Sequence, residues 1–248
     1  MLTENITAEY VAQLNAQFEH RRPEELLEWG LNTFGQRIAV CSAFGPEGVV
    51  LLHMLSKMKR SIRVFTLDTG RLPPETHELI QKMYEVYGLQ IDVYSPEPEA
   101  IRELVKTHGI NLFYKSVELR KLCCELRKVR PLMHALEGLS AWITGLRRTQ
   151  TVSRRAAGKI EIDEIHNRVL KVNPLAFWSE LEVWDFIRVN SLPYNVLHDR
   201  GYRSIGCAPC TRATSPGEDI RAGRWWWEND SKKECGLHSS SFRDGREP

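Results

Sequence analysis

The sequence predicts an α/β fold: a parallel sheet flanked by helices, followed by an irregular C-terminal tail. Short apolar runs recur at RIAVCS (37–42), IRVFTLD (62–68), QIDVYS (90–95) and SAWITG (140–145). Between them lie stretches with helical periodicity. Strands alternating with helices build a parallel sheet covered on both faces, and strands buried on both faces read as continuous apolar runs. The 248 residues, 42% hydrophobic and 27% charged, are enough for one sizeable core.

The elements follow in order. Residues 8–20 and 23–34 are predicted helices, the second opening on Pro23, which a first turn tolerates, and stopped by Gly35. The strand at 37–42 passes through AFGPEG (43–48) into the helical run VVLLHMLSKM. After the strand at 62–68, PPETHELIQKMYEVYG (73–88) reads as a helix ended by Gly88, and a further helix lies near 98–108 after the third strand. A longer basic helix is expected from Ser116 to about Leu136, ahead of the fourth strand. From residue 147 the pattern breaks down. Arg147, Arg148, Arg154 and Arg155 cluster with no acid among them, and EIDEIHNRVLKVNPL has alternating character. A helix over 179–190 sets Trp178, Leu181, Trp184 and Ile187 on one face.

Composition narrows the function classes. A formal net charge of +2 gives no support to broad nucleic-acid binding, and no run approaches the ~18 apolar residues of a membrane span. The opening MLTENITAEYVAQL lacks the basic-then-apolar order of a secretory signal, so a cytoplasmic location is expected. In that reducing compartment six cysteines point to metal ligation or catalysis rather than disulfides.

Ser42, Gly45 and Gly48 stand where the first strand turns into a helix. Glycines let backbone N–H groups approach an anion, and a helix N-terminus adds favourable potential; an ordinary strand-to-helix turn has the same look. Neither GK[ST] nor GxGxxG is present, which disfavours an ordinary kinase and a nicotinamide-dependent oxidoreductase. Asp68, Thr69 and Gly70 end the second strand, and open α/β folds bind ligands beyond the C-terminal ends of their strands.

Cys123-Cys124 and Cys207-x-x-Cys210 form two pairs. Adjacent cysteines crowd a single tetrahedral zinc, whereas an iron–sulfur cluster presents different iron atoms to neighbouring residues, so the quartet favours a cluster while zinc stays open. Around the first pair, KSVELRKLCCELRKVR is strongly basic, with Arg127 and Lys128 placed to flank it on a helix. Such charge stabilises thiolates and attracts anions. Cys235, in SKKECGLH, has two lysines before it and His238 after it, an environment that raises the thiolate fraction of a candidate nucleophile. Cys41 reads as a small core residue, and the remaining histidines show no metal spacing. Trp225-Trp226-Trp227 is either a satellite core or a docking patch.

The motifs SAFGPEGVVLLH, TLDTGRLPPET, CCELRKVRPL, ITGLRRTQT, LPYNVLHDRGYRSIGCAPC, RAGRWWWE and KKECGLH together resemble the adenylyl-sulfate reductases of assimilatory sulfate reduction, the thioredoxin-dependent group related to phosphoadenylyl-sulfate reductases. The resemblance runs from about residue 35 to 238, with Gly48 standing where many relatives carry an acid. It implies an adenine-nucleotide α-hydrolase-like sheet, divided as a nucleotide-binding domain (1–200) carrying the first cysteine pair and a C-terminal segment (201–248) carrying the CxxC and the catalytic cysteine, in one structural unit. It implies a 4Fe-4S cluster on Cys123, Cys124, Cys207 and Cys210, and a nucleotide held by Ser42, Phe44 and Gly45 with Asp68, Thr69 and Gly70 alongside. Lys128 would lie between cluster and substrate sulfate, Arg147 and Arg148 in a substrate loop, and Arg221, Arg224 and His238 would meet the anion from the tail.

The implied reaction is reduction of adenosine 5'-phosphosulfate to sulfite and AMP, through a thiosulfonate on Cys235 that thioredoxin or glutaredoxin discharges. The 3'-phosphorylated substrate, or dual use, is the alternative, and the cysteine quartet favours the unphosphorylated one; a non-catalytic zinc module is the third reading. No nucleic acid or membrane partner is implied, and a homo-oligomer stays open.

Overall fold

The computed structural model describes residues 6–166, 168–228, 234, 235 and 237. These residues form β1 (Ile38–Cys41), β2 (Arg63–Leu67), β3 (Ile91–Tyr94), β4 (Ala141–Ile143), β5 (Ile160–Asp163) and β6 (Val169–Val172), ordered β3-β2-β1-β4-β6-β5 in one sheet. The principal helices are α1 (Ala8–Phe18), α2 (Pro23–Phe34), α3 (Pro46–Lys57), α4 (Pro74–Tyr87), α5 (Pro98–His108), α6 (Val117–Cys124), α7 (Arg130–Leu136) and α8 (Glu180–Val189). The predicted α/β class holds, as does the alternation of strand and helix up to β4. No helix among the described residues is long and apolar enough to cross a membrane.

Two features differ from the sequence prediction. The sheet is mixed: β1 runs parallel to β2 and β4, and β4 to β6, but β5 pairs antiparallel with β6. The alternating stretch after residue 160 is this pair. Their tight connection leaves no room for the crossover helix that a parallel pair requires. The basic helix expected from Ser116 to Leu136 is also interrupted, α6 and α7 being joined by a π-helical turn, Glu125–Val129.

The chain divides into two compact units, one of Met1–Thr66, Pro74–Asp92 and Gly138–His198, the other of Leu67–Pro73, Val93–Glu137 and Asp199–Pro248. The first unit has its own core, with Val40, Ile143 and Val172 from the central strands packed among Leu26, Leu31, Val50, Leu52 and Val183. Residues Val49 to Leu55 of α3 are all buried, which explains why that segment reads as apolar on every face. The edge strand β5 is capped by α1: the Asn15 amide donates to Ile160 O at 2.8 Å while its oxygen accepts from Ile160 N at 3.1 Å. That contact satisfies an edge that would otherwise template intermolecular pairing. The second unit has a separate core of Leu104, Leu112, Phe113, Leu126 and Trp225, together with Cys123, Cys124, Cys210 and Cys235.

Candidate active site

In the first unit, the loop after β1 is set by backbone demands. Ser42 is buried; its N–H donates to Phe65 O at 3.0 Å and its Oγ accepts from Phe44 N at 3.1 Å. That contact holds Phe44 in the left-handed region at φ +55°, uncommon for a bulky side chain. Gly45 then enters α3, with Pro46 in its first turn. A Cβ at Gly48 would lie 2.5 Å from Ser42 Oγ, and one at Gly145 would lie 2.8 Å from Glu47 Cβ, so both glycines are required for the close approach.

Arg147 is buried and paired. Its Nε meets Glu47 Oε1 at 2.7 Å, and its Nη1 donates to Thr149 Oγ1 at 2.6 Å. Gln150 Nε2 reaches the same Glu47 oxygen at 3.0 Å. Arg147 therefore braces the loop through Glu47. Arg148 donates to Ala157 O at 2.5 Å and stacks its guanidinium 4.0 Å over the Phe177 ring.

The second unit gathers the cysteines. Asp68 Oδ1 accepts from Gly70 N at 2.8 Å, closing a turn in which Gly70 takes φ +66°. Thr69 turns its hydroxyl to Cys207 Sγ at 3.3 Å, and its carbonyl accepts from Arg127 Nη1 at 2.6 Å. Cys123 and Cys124 close α6, and the π turn that follows buries both Arg127 and Lys128. Such insertions re-aim side chains and recur at functional sites. A short 3-10 turn, Ala208–Cys210, brings Cys210 N onto Cys207 O at 2.9 Å. Gly206 leaves a path for Arg224, whose Nη2 lies 2.2 Å from where a Cβ would stand. Arg224 donates to Ile205 O at 3.2 Å and stacks 4.8 Å from the Trp225 ring centre. Arg221 reaches Glu234 Oε2 at 3.4 Å. His238 lies outside the described residues.

The electrostatics sort these thiols. Burial raises the Cys41 thiol to about 12, and the residue, expected in the core, is half-buried at the end of β1. Burial also raises Cys123, Cys124 and Cys210, the last to about 12, and each of the three feels Cys207 as a like charge. Cys235 is the exception. Burial pushes its thiol up, but Lys128, the Leu237 N–H and Arg224 outweigh that and hold it below its ordinary value. In return, burial lowers Lys128, while the thiols of Cys207, Cys235 and Cys124 reverse the effect and raise it.

No three His, Cys, Asp or Glu side chains among the described residues are placed to hold a metal ion. The quartet nevertheless has the donor chemistry of a thiolate-held group. Lys128 is buried and makes no ion pair with a carboxylate among the described residues, and a buried ammonium requires anionic neighbours. The groups facing it are thiols, and Arg224 Nε and Trp225 Nε1 are buried beside them without hydrogen-bond partners. Four thiolates around an inorganic group would supply that negative charge.

The phosphoadenosine phosphosulfate reductase domain matches residues 37–213. An adenosine 5'-phosphosulfate reductase from Allochromatium vinosum is 53% identical over 83% of this chain and 80% of its own length. The chain belongs to the phosphoadenosine phosphosulfate reductase family. A second family member, an adenosine 5'-phosphosulfate reductase from Burkholderia cepacia, is 46% identical over 88% of each chain. Among solved structures, a phosphoadenylyl-sulfate reductase from Candida auris, crystallised as a phosphate complex, superposes with a TM-score of 0.74 at 32% identity, covering 85% of this chain and all of its own. An FMN adenylyltransferase from Candida glabrata shares the fold alone, with a TM-score of 0.55 at 14% identity over 88% of this chain and 71% of its own. The adenine-nucleotide α-hydrolase-like architecture of the family is thus the architecture found here.

Within this family member the sequence reading missed Glu47, Arg120 and Glu228. Each is a charged residue whose partner is remote in the chain, 100 residues away for Glu47 and 108 for Arg120 with Glu228. Total burial of an arginine leaves no local signal.

Proposed function

We propose that the chain reduces adenosine 5'-phosphosulfate to sulfite and AMP in assimilatory sulfate reduction, with Cys235 as nucleophile and a dithiol protein of the thioredoxin or glutaredoxin class as electron donor. The observation that carries this reading is the burial of Cys235 beside two cations, Lys128 and Arg224, which with the Leu237 N–H outweigh the upward push of burial on its thiol. The relatives' printed substrate supports it.

The Cys235 thiolate attacks the hexavalent sulfur, forming an S–S bond as the S–O bond to the phosphate breaks. AMP leaves with the electron pair of that bond, and a thiosulfonate stays on Cys235. A donor thiolate then attacks Cys235 Sγ; sulfite departs with two electrons, leaving a mixed disulfide. The donor's second thiol resolves it, yielding the donor disulfide and regenerating the Cys235 thiolate. Negative charge spreads onto oxygens in the first step, where Lys128 and Arg224 supply preorganised positive potential. The candidate substrate contacts are, in the first unit, the backbone of Ser42, Phe44 and Gly45, braced through Glu47 and Arg147, together with Arg148, and, in the second, Asp68, Thr69, Gly70, Arg221 and His238. Cys123, Cys124, Cys207 and Cys210 would hold a 4Fe-4S cluster, which when bound supplies a fixed local field that organises these cations.

Incubation with adenosine 5'-phosphosulfate and no donor should leave a sulfonate on the Cys235 peptide, read by mass spectrometry. Unimpaired turnover by Cys235→Ser would remove the proposed nucleophile. The Candida auris relative acts as a phosphoadenylyl-sulfate reductase by name, which favours the 3'-phosphorylated nucleotide as second reading. A comparison of kcat/KM for the two nucleotides separates them.

A further inference from the structure

Arg120 is among the most deeply buried side chains of the second unit, 1% exposed, and sits on α6 four residues before Cys124. Its Nε and Nη2 meet the two oxygens of Glu228 at 2.9 and 2.8 Å, a bidentate pair that fixes the plane of the guanidinium. Trp225 covers one face, its ring centre 4.7 Å from Cζ. The remaining nitrogen, Nη1, donates to the carbonyl of Glu234 at 2.7 Å. That carbonyl belongs to the peptide immediately preceding Cys235. The guanidinium also faces the Cys124 thiol. One side chain therefore touches the cysteine-bearing helix, the carboxylate after the tryptophan run, and the backbone of the terminal cysteine.

We propose that Arg120 is the positioning residue that seats Cys235: clamped in orientation by Glu228, it holds the Glu234–Cys235 peptide against α6 and so fixes where the thiol points. The bidentate pair fixes the guanidinium, and the single bond to Glu234 O fixes the peptide it meets. Arg221, on Glu234 Oε2 at 3.4 Å, is a longer second tie on the same residue. A hydrogen bond to a main-chain carbonyl constrains backbone position without consuming the side chain that reacts, which is what a segment that presents a thiol and later surrenders it to a donor protein requires. The proposal rests on the reading of Cys235 as nucleophile.

The test uses the full-length holoenzyme. Breaking one member of a buried pair risks misfolding, so the principal variant replaces both, Arg120→Met with Glu228→Met, which leaves no buried charge unpaired. Glu228→Gln alone is the milder companion. Three quantities are read: the single-turnover rate of sulfonate formation on Cys235, the AMP dissociation constant, and the rate of Cys235 alkylation by N-ethylmaleimide, followed on its own peptide by mass spectrometry. With the seat lost, sulfonate formation slows about tenfold or more while AMP affinity stays within about twofold, a split that lowered stability of the fold does not produce. Alkylation of Cys235 rises by a similar factor. A folded double variant with wild-type rates of both sulfonate formation and alkylation overturns the proposal, whatever its melting temperature. Cys235→Ser run alongside keeps the two readings apart. Turnover by that variant removes the nucleophile assignment, and the alkylation arm still decides whether Arg120 seats the segment.

Discussion

At Phe44 the chain takes φ +55° within a loop only a few residues long, and the geometry depends on one hydroxyl. Ser42 Oγ accepts from Phe44 N, and the space it needs is the space a Cβ at residue 48 would fill. Gly48→Ala must therefore turn the Ser42 hydroxyl away or shift α3. The expected outcome is a loss of about 1–3 kcal/mol of stability in denaturant unfolding, with weaker AMP binding by calorimetry. The double variant Gly48→Ala with Ser42→Ala relieves the clash and recovers part of the stability but not the affinity. An alanine at 48 with wild-type affinity would detach this loop from nucleotide binding. The loop was legible as glycines between a strand and a helix. The reason for Gly48 was not, because it lies in the rotamer of a serine six residues earlier.

Between β5 and β6, Asp163 organises the turn that reverses the sheet's direction. Its carboxylate accepts from Trp142 Nε1 at 3.1 Å, from His166 Nδ1 at 2.9 Å, and from the N–H groups of Ile165 and His166, each at 3.2 Å. Burial raises this carboxyl, but the His166 hydrogen bond and charge and the nearby Lys171 outweigh it and hold it below its usual range. A carboxyl depressed in the folded state contributes stability above its unfolded pKa of about 3.9, and the contribution is lost as pH falls through the lower folded value. Asp163→Asn should therefore be about 1–3 kcal/mol less stable than wild type at neutral pH. The gap should close as pH drops below about 4. A gap that persists unchanged in acid would assign the effect to shape rather than charge. At this scale strands and helices were visible as periodicity up to β4. The π turn was not, since Glu125–Val129 reads as a continuous helical run and the insertion, which buries Arg127 and Lys128, leaves no mark in its composition.

Across the whole molecule each of the two units has its own core, and the second is built around cysteine. If four thiolates hold a cluster, anaerobically purified protein should be brown and contain about four iron and four acid-labile sulfide per chain. Serine at Cys123 or Cys210 should abolish the colour and destabilise the unit that contains Arg120 and Trp225, since binding energy of a group held only by the folded state is folding energy. Stoichiometric zinc with no sulfide would replace the cluster assignment.

The amino-acid order alone determined the α/β class and the loop after β1, and it marked the two cysteine pairs and Cys235 as candidates, because periodicity, glycine spacing and residue type are local; the cations that lower the Cys235 thiol, Lys128 and Arg224, are brought to it by the fold. Only the tertiary structure decided that β5 runs against the sheet, that Arg147 spends its charge on Glu47, and that Arg120 holds the peptide before Cys235. Those outcomes depend on which distant carboxylates and carbonyls reach a buried guanidinium, and a charge taken out of water must find its partner wherever the fold brings one.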